Sequence, residues 1–200
     1  MFVGFDYGTS NCAMGVMSGD SVRLLPLQGD SNYLSSTLYA LHRDLIASAV
    51  ARELADGERQ AYAGERSTVL ARARRIGHEL DLMPDEPLCF VGQAGIDAYL
   101  DEPGEGYFVK SPKSFLGATG LLPPQIALFE DIVTRMMMTA KQRAEQQLQK
   151  EVKEAVIGRP VNFQGIGGEE SNRKAEAILA TAARRAGFRD VEFLFEPLAA

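Results

Sequence analysis

The residues of this chain whose types and spacing best suit chemistry lie near its start, in the run Asp6-Tyr7-Gly8-Thr9-Ser10-Asn11. Glycine permits a tight turn and close approach of the backbone to a ligand. Successive backbone N–H groups in such a turn form a concavity that binds anions. Thr9, Ser10 and Asn11 add side-chain donors, and Asp6 is placed to hold a hydrated Mg²⁺ beside phosphates. By composition alone, an ordinary hairpin turn is the commoner explanation of these residue types, because short motifs often match by chance.

Short strands are predicted on both sides of this run. Residues 2–5 and 12–17 are apolar or small, and residues 22–25 follow a Ser-Gly-Asp-Ser turn. Strands joined by tight turns form an antiparallel meander. A fourth strand is predicted at 37–41, whereas residues 101–124 are rich in Pro, Gly, Lys and Ser and are predicted to be mostly loop.

Helical periodicity dominates much of the remaining chain. Amphipathic segments are predicted at 46–54, 67–82 and 92–100, and the strongest helix begins at Pro123-Pro124. Its apolar stripe comprises Ile126, Phe129, Val133, Met136, Met137, Ala140, Ala144 and Leu148, so two of the three consecutive methionines are expected in the core. Glu130 and Asp131 lie early in this helix, where acidic residues suit the helix dipole. A strand at 154–157, a helix from about Ser171 to Gly187 and a strand at 191–195 complete the pattern.

Composition excludes several classes of protein. The chain has 200 residues and a net charge of -6, which argues against a general nucleic-acid binder. No stretch approaches the roughly 20 apolar residues of a membrane span, and no signal peptide is recognisable at the start. We interpret Cys12 and Cys89 as free thiols in a reducing compartment and expect a cytoplasmic protein. The sequence stops directly after an apolar run, which predicts a piece of a longer protein.

Two other features are less suited to chemistry. The run Gly165-Ile166-Gly167-Gly168 lies between a predicted strand and a helix, but Arg159-Pro160-Val161-Asn162-Phe163 intervenes after the strand. A dinucleotide fingerprint follows its strand directly, so a flexible connection is predicted instead. His42 and His78 lie far apart, with no Cys or His at metal-binding spacing, and predict no zinc site.

The first run resembles a known phosphate loop. Val3-Gly4-Phe5-Asp6-Tyr7-Gly8-Thr9-Ser10-Asn11 is similar to Gly-Ile-Asp-Leu-Gly-Thr-Thr-Asn of the seventy-kilodalton heat-shock chaperones, which belong to the actin-like ATPase superfamily. Sugar kinases of that superfamily share most of this pattern. Further segments similar to the chaperones follow in family order: Val91-Gly92-Gln93-Ala94, Lys113-Ser114-Phe115-Leu116-Gly117, Pro123-Pro124-Gln125-Ile126, Glu154-Ala155-Val156-Ile157 and Glu196-Pro197-Leu198-Ala199-Ala200. The chain thus resembles the N-terminal lobe of a DnaK-like nucleotide-binding domain.

The resemblance implies a role for each matching residue. Asp6 would coordinate Mg²⁺ through water, and Gly8, Thr9, Ser10 and Asn11 would cradle the β- and γ-phosphates of ATP or ADP. Lys113 would reach the γ-phosphate and the attacking water, and Glu196 would position that water or the hydration shell of the metal. Without the resemblance, Lys113 would be interpreted as an exposed loop lysine and Glu196 as a carboxylate at a strand end.

The fold implied by the resemblance is α/β, lobe I of an actin-like, ribonuclease H-like ATPase, with a mixed sheet flanked by helices. Residues 1–36 and 122–200 would form subdomain IA and residues 37–121 the inserted subdomain IB, with the second lobe outside this sequence. The implied function is ATP binding and slow hydrolysis that drives closure of the lobes, with protein clients or co-chaperones as partners. The region between Leu41 and Phe90 matches the chaperones little. This divergence resembles YegD-type homologues that lack a peptide-binding domain.

Two alternatives stay open. A carbohydrate kinase of the same superfamily would need an Asp that deprotonates a sugar hydroxyl, and the context of Lys113 and the Glu196-Pro197 pair count against it. A non-catalytic assembly or filament protein of the superfamily is the other, against which the retention of Asp6, Lys113 and Glu196 argues.

Overall fold

The structure is a computed structural model, and it describes residues 1–160, 163 and 168–195. The strands of these residues are β1 (Phe2–Tyr7), β2 (Asn11–Ser18), β3 (Ser21–Leu24), β4 (Tyr33–Ser35), β5 (Thr37–Ala40), β6 (Cys89–Val91), β7 (Tyr107–Lys110), β8 (Glu154–Arg159) and β9 (Asp190–Phe195). The helices are α1 (Leu45–Glu53), α2 (Asp56–Glu65), α3 (Ser67–Glu79), α4 (Gln93–Asp101), α5 (Pro123–Leu148) and α6 (Gly168–Arg185), together with a 3₁₀ helix at Pro112–Phe115.

The main sheet is mixed and has the order β3-β2-β1-β8-β9, with β4 also paired to β2. β1, β2 and β3 are antiparallel neighbours, so the predicted meander is confirmed. β8 runs parallel to β1, and β9 runs parallel to β8. Parallel neighbours need a crossover connection, and α5 and α6 lie in the two crossovers. This mixed sheet with flanking helices is compatible with a lobe of an actin-like ATPase.

Alternation along β1 assigns the two faces of the main sheet. Val3, Phe5 and Tyr7 are buried, whereas Phe2 and Asp6 on the opposite face are exposed. The buried face packs against α5 and the end of α6. The Tyr7 hydroxyl donates to the Met136 sulfur at 3.6 Å, and the Phe5 ring lies 6.3 Å from that of Phe188.

Helix α5 begins at the predicted Pro123 and buries the predicted stripe, but its methionines differ from expectation. Met136, Met137 and Met138 are all buried, where two were expected. A helix packed between two layers has no solvent-facing side over this stretch, and the flexible methionine side chain fills irregular gaps on either side. The predicted end of α6 also agrees with the structure, because Gly187 has a φ of 90°, as a left-handed helix cap requires.

A second sheet of order β6-β5-β7 lies in the segment between β4 and α5. The predicted strand near residue 37 is its central strand. The prediction that residues 101–124 are mostly loop missed β7 and the 3₁₀ helix, which both lie there. The apolar run Tyr107-Phe108-Val109 pairs with β5, a long-range contact that the surrounding Gly and Pro residues conceal. Helix α2 was missed because Tyr62 is its one buried residue and the rest is polar. The bounds of subdomains IA and IB stay a prediction.

The segment Val91-Gly92-Gln93-Ala94, which resembles the chaperones, forms the turn from β6 into α4. Gly92 has a φ of 75°, and a Cβ there would lie 2.4 Å from the side-chain oxygen of Gln28. The same oxygen accepts a hydrogen bond from the N–H of Gln93 at 2.8 Å, at the start of α4. Gly92 and Gln93 therefore join the two sheets.

A group of charged residues, of which Arg66, Asp131 and Arg185 are buried, joins α5 and α6 to the helices that follow β5. We call it the charge cluster: Glu65, Arg66, Glu130, Asp131 and Arg185, arranged around the ring of Tyr62. The Arg66 Nε atom lies 3.0 Å from Asp131 Oδ2. Burial alone would lower the pKa of Arg66, but the charges and hydrogen bonds of Asp131 and Glu130 outweigh it and raise that pKa. The two acidic residues thus hold helices together, which the sequence interpretation as helix-dipole partners did not anticipate.

No helix within the described residues combines the length and apolar character that crossing a bilayer requires.

Candidate functional site

The turn between β1 and β2, residues 8–10, has a backbone that only glycine allows at its first position. A Cβ atom on Gly8 would lie 2.2 Å from the carbonyl oxygen of Asn11, far inside contact distance. The side-chain Oδ1 atom of Asp6 lies 3.7 Å from the same point. Glycine at position 8 therefore lets the two chains of the turn approach closely, with the Asp6 carboxylate nearby. We call residues 8–10 the first turn.

Lys113 reaches this region from a distant part of the sequence. It lies in the 3₁₀ helix, which follows Ser111, a residue with a φ of 56°. Lys113 is 6% exposed, so it is not the exposed loop lysine that sequence reasoning alone would expect. Burying a lysine is costly unless its charge is used or balanced, which makes this position chemically informative.

Asp6, Gly8, Thr9 and Lys113 line one cavity of about 600 Å³, which we call the sheet-face cavity. Its wall is the exposed face of the main sheet, and the apolar residues of that wall include Phe2, Ala13, Met17, Val22, Leu24 and Val156. Ser10 and Asn11 are exposed but are not part of the cavity lining. The structure thus brings together Asp6, the start of the first turn and Lys113, and it leaves Ser10 and Asn11 at the edge.

The pKa of the Cys12 thiol, on β2 behind the first turn, depends on charges around the cavity. Burial raises the pKa of Cys12 to about 11, and the hydrogen bond between Cys12 and Ser36 opposes this rise. The charge of Asp6 raises this pKa further, and that of Lys113 lowers it. Both charges therefore act at the same point, although the two residues are far apart in the sequence.

The sequence missed one residue of this neighbourhood, Ser36. Its hydroxyl donates to the Gly8 carbonyl at 2.8 Å, and its N–H donates to the Ser10 carbonyl at 2.8 Å. Nothing in the run Ser35-Ser36-Thr37 marks it as different from any other serine near a strand. Only the pairing of β2 with β4 places it beside the first turn.

Several other residues that the sequence analysis considered lie outside the described residues or away from the first turn. Glu196 and the glycines at 165–167 lie outside the described residues. His42 accepts a hydrogen bond at Nδ1 from the N–H of Asp44 at 3.1 Å, just before α1. Within the described part of the chain, no group of three or more His, Cys, Asp or Glu side chains could together hold a metal ion.

Comparison with known proteins gives a match along almost the whole chain. No protein-family model matches the chain. The chain is 28% identical to the chaperone protein DnaK of Buchnera aphidicola subsp. Schizaphis graminum (strain Sg) over 207 aligned residues. The alignment includes 99% of this chain and 27% of that relative, so the chain spans about a quarter of the length of the curated relative.

This chain is similar to a segment of DnaK. Since the similarity extends over almost the whole chain, it supports the resemblance to a DnaK-like fragment that the motifs indicated. It also supports the resemblance to a chaperone. The individual site residues are argued from the geometry described above.

Proposed function

We propose that this protein binds ATP with Mg²⁺ and hydrolyses it slowly, as part of a chaperone homologue of the heat-shock type. One observation carries the proposal: Asp6, Gly8 and Thr9 of the first turn, and Lys113 line the same cavity, although Lys113 is far from the others in the sequence. An anion-binding turn, a carboxylate and a buried cation are the parts that phosphoryl transfer uses, because that chemistry depends mainly on positioning and charge neutralisation.

Each residue has a role in the proposal that suits its surroundings. The backbone N–H groups of the first turn and of Asn11 would bind the β- and γ-phosphates, as successive N–H groups of a tight turn can. Lys113 would face the γ-phosphate, and its place in the cavity lining suits a cation that acts as charge develops there. Glu196 would orient the attacking water.

The residues present fit a hydrated Mg²⁺ better than a metal held by protein alone. Asp6 is an exposed carboxylate at the cavity. Mg²⁺ usually keeps several waters and is held by one or two carboxylates together with substrate phosphates. Asp6 would hold the ion through water, and the bound ion would neutralise phosphate charge.

The wider activity is proposed on the similarity to DnaK. ATP binding and hydrolysis would drive closure of two lobes, of which residues 1–36 and 122–200 would form subdomain IA and residues 37–121 subdomain IB. Protein clients or co-chaperones would be the partners, and the location would be cytoplasmic. Hinge closure around a ligand is a common way to couple binding to a partner.

Hydrolysis of ATP by the full-length protein tests this proposal. We expect slow release of phosphate that requires Mg²⁺ and disappears with a chelator. A panel of sugars is the matched control, because stimulation of ADP production by one sugar would indicate the carbohydrate kinase. Nucleotide-dependent sedimentation without hydrolysis would indicate the filament protein. Either result, or the absence of Mg²⁺-dependent hydrolysis, would contradict the proposal.

A further inference from the structure

Ser36 lies between the two sheets of the molecule. β4 of the main sheet ends at Ser35, and β5 of the second sheet begins at Thr37, so Ser36 is the single residue between them. It is buried, with 1% of its surface exposed. A buried polar residue in such a position must satisfy its hydrogen bonds within the protein, and its partners show which parts it holds together.

Two of these partners belong to the first turn. The Ser36 hydroxyl donates to the Gly8 carbonyl, and the Ser36 N–H donates to the Ser10 carbonyl, each at 2.8 Å. The hydroxyl oxygen also lies 3.5 Å from the sulfur of Cys12, which suits a weak bond donated by the thiol. One residue therefore fixes both ends of the first turn.

The direction of these bonds sets the direction of the next amides. In a planar trans peptide, the C=O and N–H of the same unit point in opposite directions. Since the Gly8 and Ser10 carbonyls point towards Ser36, the N–H groups of Thr9 and Asn11 point away from it. An anion would meet N–H groups rather than carbonyl oxygens on that side of the turn.

A further partner of Ser36 belongs to the segment that carries Lys113. The carbonyl of Ser36 accepts a hydrogen bond from the Ser111 N–H at 2.9 Å. Ser111 immediately precedes the 3₁₀ helix in which Lys113 lies. A short chain of hydrogen bonds thus runs from the first turn through Ser36 to a residue two positions before Lys113.

We infer that Ser36 is a positioning residue of the proposed nucleotide site, which fixes the first turn and the Lys113 segment relative to each other. This inference rests on the proposed function. The Ser36 backbone holds the Ser10 carbonyl and the Ser111 N–H, and the Ser36 hydroxyl holds the Gly8 carbonyl, which orients the Thr9 amide. Loss of the hydroxyl frees the Gly8–Thr9 peptide and should therefore slow hydrolysis more than it weakens binding, because transition-state interactions depend most on alignment.

Ser36→Ala in the full-length protein tests the inference, with Thr37→Val as the matched control. Thr37 is the next residue, is also buried, and its hydroxyl donates to the Gly92 carbonyl at 2.9 Å, in the turn before α4. Both variants lose one buried hydrogen bond from a hydroxyl to a backbone carbonyl. We expect similar small decreases in Tm for the two variants.

Single-turnover hydrolysis and equilibrium binding of Mg·ATP separate the two variants. Ser36→Ala should slow hydrolysis about tenfold, the effect of one misaligned hydrogen bond, and change Kd less than about threefold. Thr37→Val should hydrolyse at the wild-type rate. If Ser36→Ala yields too little folded protein, Ser36→Cys keeps a weak donor of similar size, and the same selective loss of rate is expected.

The outcomes that overturn the inference differ from those that overturn the proposed function. Equal rates for Ser36→Ala and Thr37→Val, with an active wild type, would show that Ser36 is structural only. The same holds for a wild-type rate in Ser36→Cys where that variant is used. A wild-type protein without Mg²⁺-dependent hydrolysis would overturn the proposed function and this inference with it.

Discussion

The charge cluster and the sheet-face cavity both gather charged side chains from distant parts of the sequence. In the charge cluster, Arg66 and Arg185 are buried against acidic residues of α2 and α5, and the ring of Tyr62 lies within reach of both guanidinium groups. In the sheet-face cavity, the exposed Asp6 and the buried Lys113 line a space of about 600 Å³, together with Gly8 and Thr9 of the first turn.

The difference separates a structural role from a binding role. The ions of the charge cluster are directed at one another, so removing one leaves another buried and uncompensated. The charges at the cavity lie around a volume that a phosphate group could enter, and the backbone beside them supplies N–H groups. Mutations in the first region should therefore change stability, and mutations in the second should change nucleotide chemistry.

The largest effect is expected in the charge cluster. Asp131→Ala removes the carboxylate that accepts from the buried Arg66 Nε–H, while Glu130 still pairs with Arg66, and should lower the free energy of unfolding by about 3 kcal/mol, the upper end for a hydrogen bond to a charged group. Urea denaturation measures this loss. Glu79→Ala is the control, because its pair with Arg75 is exposed on α3 and should change stability little. A loss no larger than that of the control would show that the cluster does not hold the helices together.

At the cavity, Lys113→Ala should lower the rate of ATP hydrolysis by at least about a hundredfold, since a cation at the γ-phosphoryl group acts mainly in the transition state. Nucleotide affinity should change little. Single-turnover hydrolysis and equilibrium binding measure the two effects. Lys110→Ala, an exposed lysine three residues earlier, should behave as wild type. Normal turnover in Lys113→Ala would remove this lysine from the site.

Asp6→Asn should weaken nucleotide binding selectively when Mg²⁺ is present. The loss should be about tenfold, because a charge-assisted hydrogen bond to metal-bound water is worth on the order of 1.5 kcal/mol. Titration of nucleotide with Mg²⁺ and with a chelator measures the difference. Asp20→Asn, an exposed acidic residue in the next hairpin turn, is the control and should show no loss. Equal losses with and without the metal would assign Asp6 a structural role in the turn.

The smallest effect concerns Cys12, which lies behind the first turn. The thiolate is the reactive form, and burial raises the pKa of this thiol to about 11. At pH 8 only about one thiol in a thousand would be ionised, so alkylation of the native protein should be correspondingly slow. Mass spectrometry after labelling, with the urea-unfolded protein as reference, measures it. Rapid native labelling of Cys12 would mean that the cavity wall behind the turn opens.

Strong local patterns made much of the fold predictable. The alternation along β1 and the long apolar stripe of α5 depend on neighbouring residues, so the meander and the long helix could be recognised from the sequence. β7 depends on pairing with β5, and α2 has a single buried residue, so neither has a local signal. These elements become evident only when the tertiary contacts are known.

The candidate site was likewise only partly predictable from the sequence. The residue types of the first turn indicate anion binding, yet they also suit an ordinary hairpin, and only the contact at Gly8 shows how closely the chains approach. The burial of Lys113 and the bonds of Ser36 arise from contacts between distant segments. No local periodicity or composition could have indicated them.

A structure of the full-length protein with Mg²⁺ and a non-hydrolysable ATP analogue tests the central claim most directly. The account predicts the β- and γ-phosphates beside the first turn, a hydrated metal within water-mediated reach of the Asp6 carboxylate, and the Lys113 ammonium group towards the γ-phosphate. Phosphates bound elsewhere, with the sheet-face cavity lacking nucleotide at saturating analogue, would contradict it.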